Sequence, residues 1–457
     1  MLPSTPLDLP EILMDVGKFL DVADLALAVQ VSTFWNSVLR PILRSRTVCW
    51  KDTMSEEEHH TALQRICQGN LYSLECELAH FTGETYEYET ERQNQVKVYE
   101  PIKAALLNPT LELHKWVVRG GNFVVEDFFV VLLELKTLRH FWIDPLPGRK
   151  YAPDLSRLFK VLGRPLLQNL RQLTVKNAHW GNMGFPFPNK VQCQLRKIVL
   201  ENTRLFEPNL FRLLESSPWL EELVALQVME HWEPSIFKHL SKVNPRLRAL
   251  TFSCHVSRGC NDDHVEWMAE HLTVDLRQLG LYQLQCSTNA FVQLVAHFKG
   301  LTHLEIHGAS HENCGELVHH YLSTCSGARQ LIARDVFIPM RLLEDQESEF
   351  WICKDLDTLD VSFGERDPMQ DEQEDQVVEE SKLLFGYLTR HVPNVRKLRV
   401  RKHKLCVKPG EGIVEQFRGL ERLERLMIQS GSFAEDACLS AFLAALQRQI
   451  RVTLAKS

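Results

Sequence analysis

The chain has 457 residues, 44% of them hydrophobic and 24% charged, with a formal net charge of −7. It is too long for one compact core and too apolar for wholesale disorder, so several domains or a repeat array are expected. A mildly acidic chain lacks the global positive field that draws nucleic acid or anionic lipid, so neither nucleic acid nor membrane is expected as a partner.

The first apolar residues are interrupted by Asp8, Glu11 and Asp15, which argues against a signal peptide. No run of about 18 apolar residues predicts a membrane span. The expected compartment is the cytosol, the nucleus or both. The twelve Cys form no C-x-x-C pair and sit among apolar neighbours, which predicts buried, reduced thiols.

Residues 8–43 read DLPEILMDVGKFLDVADLALAVQVSTFWNSVLRPIL. Asp8 with Glu11 three residues later forms a capping signal, and Pro10 suits a first turn. Ile12, Leu13, Val16, Phe19 and Leu20 then lie on one helical face. Asp21–Asp24 restarts the chain, with Val22, Leu25 and Val29 as the next face. Ser32 caps a third helix carrying Phe34, Trp35, Val38 and Leu39, and Pro41 is expected at or near its end. Three helices this short cannot bury all these side chains among themselves. The surplus needs either a partner surface or the end of the following domain, and patterning leaves both readings open.

The string Leu9-Pro10-Glu11-Ile12-Leu13, with Phe19-Leu20, Asp24-Leu25 and Val29-x-Val31-Ser32-x-x-Trp35, resembles the F-box. It has one residue fewer between Pro10 and Ile12 than that motif usually has. The resemblance implies that Leu9, Pro10, Ile12, Leu13, Val16, Leu20, Leu25, Val31 and Trp35 bind a Skp-type adaptor, or form the small core behind that surface. Through the adaptor it implies a cullin.

Residues 44–110 carry no clear repeat. Arg46–Trp50 reads as a strand, 56–81 mostly as helix, and 84–95 as an exposed loop. Further on, the pattern apolar-x-x-apolar-x-apolar recurs. It appears at Leu113-Trp116-Val118, Leu138-Phe141-Ile143, Leu170-Leu173-Val175, Leu195-Ile198-Leu200 and Leu220-Leu223-Ala225. It continues at Leu247-Leu250-Phe252, Leu276-Leu279-Leu281, Leu301-Leu304-Ile306, Ala328-Leu331-Ala333, Leu356-Leu359-Val361, Val395-Leu398-Val400 and Leu423-Leu426-Ile428. One such match means little; a recurrence at mostly about 25–29 residues is the leucine-rich-repeat period.

Amphipathic stretches such as 208–214, 290–295, 315–322 and 383–388 fill the intervals, so the unit is strand, loop, helix, loop. Stacked units share one core, with strands on the inner face and helices outside. The Asn that usually follows such a strand stands only at Asn177 and Asn202, so Cys, Gln or backbone contacts must fill the other turns.

The whole resembles F-box proteins with C-terminal leucine-rich repeats, of the fungal type. The expected fold class is α/β: a three-helix F-box module at 1–43, an irregular start of the array at 44–110, and a curved repeat solenoid at 111–457. The segment 365–380 holds eight acids and one Arg. It is expected to be a disordered loop.

In each strand, the residue between the last two apolar positions and the residue after them should face inward. Tyr282, His307, Arg334, Arg399 and Arg401 are the candidates for holding a protein target. The run 396–408 carries seven Lys and Arg and no acid. It could meet an acidic or phosphorylated segment, but the favoured reading is a solvated strand neutralised by the acidic segment before it. His303 and His307 share a strand face about 13 Å apart, too far for ligands at about 2 Å from one zinc ion. Gly410-x-Gly412 lacks the rest of any phosphate loop, and no catalytic constellation emerges. No enzymatic activity, cofactor or metal is expected. The resemblance implies the substrate-recognition subunit of an SCF-type ubiquitin ligase. The alternative is a leucine-rich-repeat scaffold or inhibitor unrelated to ubiquitination.

Overall fold

The computed structural model describes residues 10–20, 22–51, 53–77, 99–120, 131–132, 135–144, 169–178, 192–203, 205, 207–228, 233–253, 259–307, 314–344, 350–363, 374–401, 419–429 and 451–455. The chain forms two compact units, Met1–Met229 and Glu230–Ser457. The boundary falls inside the segment that the sequence presents as one repeat domain.

The first unit opens with α1 (Pro10–Phe19), α2 (Val22–Ala28) and α3 (Thr33–Ser45). The Trp35 N–H donates to Ser32 Oγ at 3.1 Å, so α3 starts where the sequence places its cap. Pro41 does not end α3, which continues to Ser45. Ile42 and Leu43 lie beyond it and pack on the module's core, and that packing outweighs the backbone bond Pro41 removes. The core is Leu13, Leu25, Ala28, Leu39 and Leu43. Gly17 lets α1 close on α3: a Cβ there would stand 2.6 Å from Leu39 Cδ2 and 2.8 Å from Ile42 Cδ1.

The module is fixed to the sheet that follows. Tyr72 packs against its core. Arg46 donates to the Leu20 carbonyl at 2.9 Å, capping the end of α1.

The sheet of this unit has β1 (Thr47–Lys51), β2 (Asn70–Glu77), β3 (Glu112–Arg119), β4 (His140–Asp144), β5 (Gln172–Lys176), β6 (Lys197–Glu201) and β7 (Glu222–Leu226). Each strand pairs in parallel with the next. Helix α4 (Glu56–Cys67) starts at a Ser55–Glu58 capping box, and α5 (Glu207–Glu215) precedes β7. Residues 70–77 are therefore strand, not helix. Leu71, Leu74 and Cys76 are all buried there, so they repeat the apolar spacing with Cys in the last place.

The second unit continues the same order. Its strands are β8 (Ala249–Ser253), β9 (Gln278–Tyr282), β10 (His303–His307), β11 (Gln330–Ile338), β12 (Thr358–Phe363), β13 (Lys397–Arg401), β14 (Arg425–Gln429) and β15 (Arg451–Ala455). All neighbours pair in parallel. Between them run α6 (Pro234–Val243), α7 (Asp262–His271), α8 (Thr288–His297), α9 (Cys314–Thr324), α10 (Arg341–Glu344) and α11 (Glu374–His391). Side chains at Asn261 and Ser287 cap α7 and α8. The acidic segment is not a loop throughout. Its residues 374–380 open α11, where negative charge suits the positive end of the helix dipole; residues 365–373 lie outside the described residues.

The described apolar residues of the repeat triads are buried, from Leu113 at 0% to Leu423 at 4% exposed. They form the core between strands and helices expected of an α/β leucine-rich-repeat array. The residue leaving a strand often takes a left-handed backbone: Gly120, Asn177, Asn202, Gln227 and Gln283 all have positive φ. The N–H of Asn177 donates to the Glu201 carbonyl and that of Asn202 to the Leu226 carbonyl, at 2.9 and 2.8 Å. Their side chains form a ladder, Asn202 to Asn177 at 2.8 Å and Asn177 to Asp144 at 2.9 Å. Gln takes this position at two described later turns, Gln227 and Gln283.

Candidate functional site

Two surfaces carry the residues singled out by the sequence. The first is the N-terminal module. Its apolar residues divide into two stripes. Leu13 and Leu25 are fully buried in the module's core, so they hold the surface and cannot touch a partner. Leu20 and Trp35 are half-buried against the same core. Pro10, Ile12, Val16 and Val31 are exposed, and Leu9 lies outside the described residues. One outward stripe on α1 is Ile12, Val16 and Phe19, at i, i+4 and i+7, with Phe19 89% exposed; Met14 is exposed off this stripe. Leu27 (60%) and Val31 (65%) face outward from α2 and the turn after it. Phe19 and Leu27 are additions to the expected set.

The second surface is the inner face of the second unit's sheet. Alternation places Tyr282 on β9, Glu305 and His307 on β10, and Arg334 on β11 on this face. Tyr282, His307 and Arg334 share one register level. The Tyr282 and His307 rings stack with centroids 4.2 Å apart and planes 5° apart. Glu305 Oε1 binds His307 Nε2 at 2.5 Å and accepts from Tyr282 Oη at 3.3 Å. The His307 hydrogen bond holds the Glu305 carboxyl below its ordinary pKa, against partial burial. Gly280 admits this arrangement, since a Cβ there would stand 2.6 Å from the Thr251 side chain.

Arg399 and Arg401 form a separate group. A register shift between β11 and β12 sets them apart from Arg334. Arg399 lies level with Asp360, at 3.8 Å between Nη1 and Oδ2; Arg401 is level with Ser362 in register, and its side chain lies outside the described residues. Ser362 is fully buried, and its hydroxyl has no hydrogen-bond partner.

The inner face of the first unit carries a cluster that the sequence reading passed over. The Trp142 ring lies 5.4 Å from the Arg119 guanidinium and 5.7 Å from Lys176 Nζ. Glu75 accepts from Lys115 at 3.5 Å and pairs with Arg119 at 3.7 Å. Trp142 sits between Phe141 and Ile143, so the rule that picked out Tyr282 would have found it.

Among the described residues no group of three or more His, Cys, Asp or Glu is placed to hold a metal. Nor is any of their helices long and apolar enough to cross a membrane. Most described thiols are buried, and burial pushes Cys193 up to about 11 and Cys286 and Cys353 up to about 12, which keeps them protonated. Cys49 and Cys67 are exposed, unlike the buried thiols expected.

No protein-family model matches the sequence, and no curated protein matches it. Solved structures do. The Rad7 and Elc1 complex of yeast matches at 12% identity and a TM-score of 0.43, over 81% of this chain and 88% of that one. The leucine-rich repeat-containing protein LegL7 from Legionella pneumophila matches at 12% and 0.34, over 82% and 97%. The TLR13–ssRNA13 complex matches at 13% and 0.36, over 90% of this chain; the chain spans about half the length of that one, 51%.

Proposed function

We propose that this protein is the substrate-recognition subunit of an SCF-type ubiquitin ligase. The N-terminal module binds a Skp-type adaptor and through it a cullin, while the inner face of the repeats holds a protein target. On this reading the protein catalyses nothing and works in the cytosol or nucleus by raising the effective concentration of target lysines near a charged enzyme. The observation that carries it is the outward apolar set Ile12, Val16, Phe19, Leu27 and Val31 on a module whose own core is already closed. An apolar helical surface with spare area is what helix-in-groove docking needs.

Tyr72 in the module's core supports the plainer role of a cap on the first strands. The two roles separate experimentally. Phe19→Asp and Val31→Asp change side chains that the fold leaves in solvent, so thermal unfolding should hardly move. Co-purification with a Skp-type adaptor should be lost. Adaptor binding that persists in the double variant rejects the docking role and leaves the cap.

A further inference from the structure

We propose that the inner face of β13 and β14 binds an acidic, carboxylate-rich segment of a protein target. This rests on the reading that the repeats hold a protein, and not on the adaptor. The argument starts from alternation. Leu398, Val400 and Leu426 point into the core. Lys397 and Arg399 on β13, and Arg425 and Met427 on β14, therefore take the opposite face. Lys397 pairs in register with Arg425, and Arg425 with Arg451 on β15. Residues 397, 425 and 451 thus occupy one register level on three adjacent strands, about 4.8 Å apart from strand to strand.

Asp360 holds the one acid at an inward register position on β12–β15, and it faces Arg399. At the start of β13, Arg396 already engages Glu424 at 2.9 Å and Asp357 at 3.7 Å, so Glu424 is spoken for. Among the described residues, Lys397 and Arg425 are exposed and meet no acid.

Like charges directly opposite each other on neighbouring strands destabilise a sheet. The first unit avoids this. There Lys51 pairs with Glu77 at 2.6 Å and Lys197 with Glu222 at 2.6 Å, each in register. Among the described residues no acid offsets Lys397 set against Arg425; a bound polyanion would.

The layout selects the anion. A phosphate dianion calls for forked donors converging on one point. These cations are instead spread along a row with Met427 beside them, which suits several carboxylates on one segment. Nucleic acid is disfavoured because, among the described residues, the inward positions of β12–β14 carry no aromatic ring on which a base could stack.

The test uses the full-length protein and fluorescence anisotropy with a labelled oligo-glutamate peptide. Binding is expected at low salt and should weaken as salt rises. Lys397→Glu and Arg425→Glu should each weaken it by about fivefold. The unfolding midpoint should hold or rise, since each reversal breaks up the row, and Arg425→Gln provides a milder version. Lys197→Glu in the first unit should leave affinity unchanged. The proposal is overturned if the reversals leave affinity unchanged, if Lys197→Glu weakens it equally, or if a singly phosphorylated neutral peptide or a single-stranded oligonucleotide binds more tightly. Phe19→Asp should not affect this binding, so loss of adaptor docking and loss of this site are separate results.

Discussion

The two units build their inner sheet faces from the same repeat but settle charge differently. In the first unit most inward cations meet an acid on the neighbouring strand: Lys51 with Glu77, Lys115 and Arg119 with Glu75, Lys176 with Glu201 and Lys197 with Glu222. Such a face gains cross-strand stability and presents little net field. In the second unit, β9–β11 is internally clasped around Glu305, whereas β13 and β14 set Lys397 against Arg425. The first face is organised for folding, and the far end of the second is organised for something outside the chain.

The deepest substitutions should not distinguish the units, and so they test whether the repeats share one physics. Leu223 and Leu359 hold the same place in the repeat pattern and are both fully buried. Leu223→Ala and Leu359→Ala should each cost about 2–5 kcal/mol. Amide exchange should accelerate first in the unit that carries the change. A cost near zero in either unit would break the comparison.

The strand exits come next. Asn202 has a left-handed backbone and bonds to the Asn177 carboxamide. Asn202→Ala loses that bond and strains a non-glycine residue, so stability should fall by about 1–2 kcal/mol. Gln283 in the second unit has the same backbone, and its side-chain oxygen is buried without a partner. Gln283→Gly removes both penalties and should raise stability by about 1 kcal/mol. Chemical denaturation of the two variants should therefore move in opposite directions.

The apolar triads were legible because a buried position repeated at a fixed interval leaves a periodic trace. The module's helices were legible too, through Ser32 and the apolar faces. What the pattern could not settle was which of two adjacent apolar stripes on α1 faces inward. Gly17, in the buried stripe, has no side chain to signal it. Strand β2 was missed because Cys76 stands in the third apolar place, and β15 because Gln449 stands in the sequence where the first apolar residue of its triad would be. The basic face was half-read. A five-residue strand has three inward positions, and counting only the last two finds Arg399 and Arg401 but passes over Lys397 and Arg425. Only the register shows that these two stand side by side.

The smallest effect is the sharpest test of the difference between the faces. Lys176 in the first unit is level with Glu201 and paired to it. Lys176→Glu sets two acids against each other and removes a cation from beside Trp142, so it should destabilise by about 0.2–1 kcal/mol. Arg425→Glu sets an acid against Lys397 and should stabilise by a similar amount. One charge reversal of the same sign should thus act oppositely in the two units, and both effects should shrink at high salt, because these pairs are partly exposed. If Arg425→Glu destabilised instead, the row of cations would have a folding role after all, and the contrast between a face organised for folding and one organised for binding would fail at its most specific point.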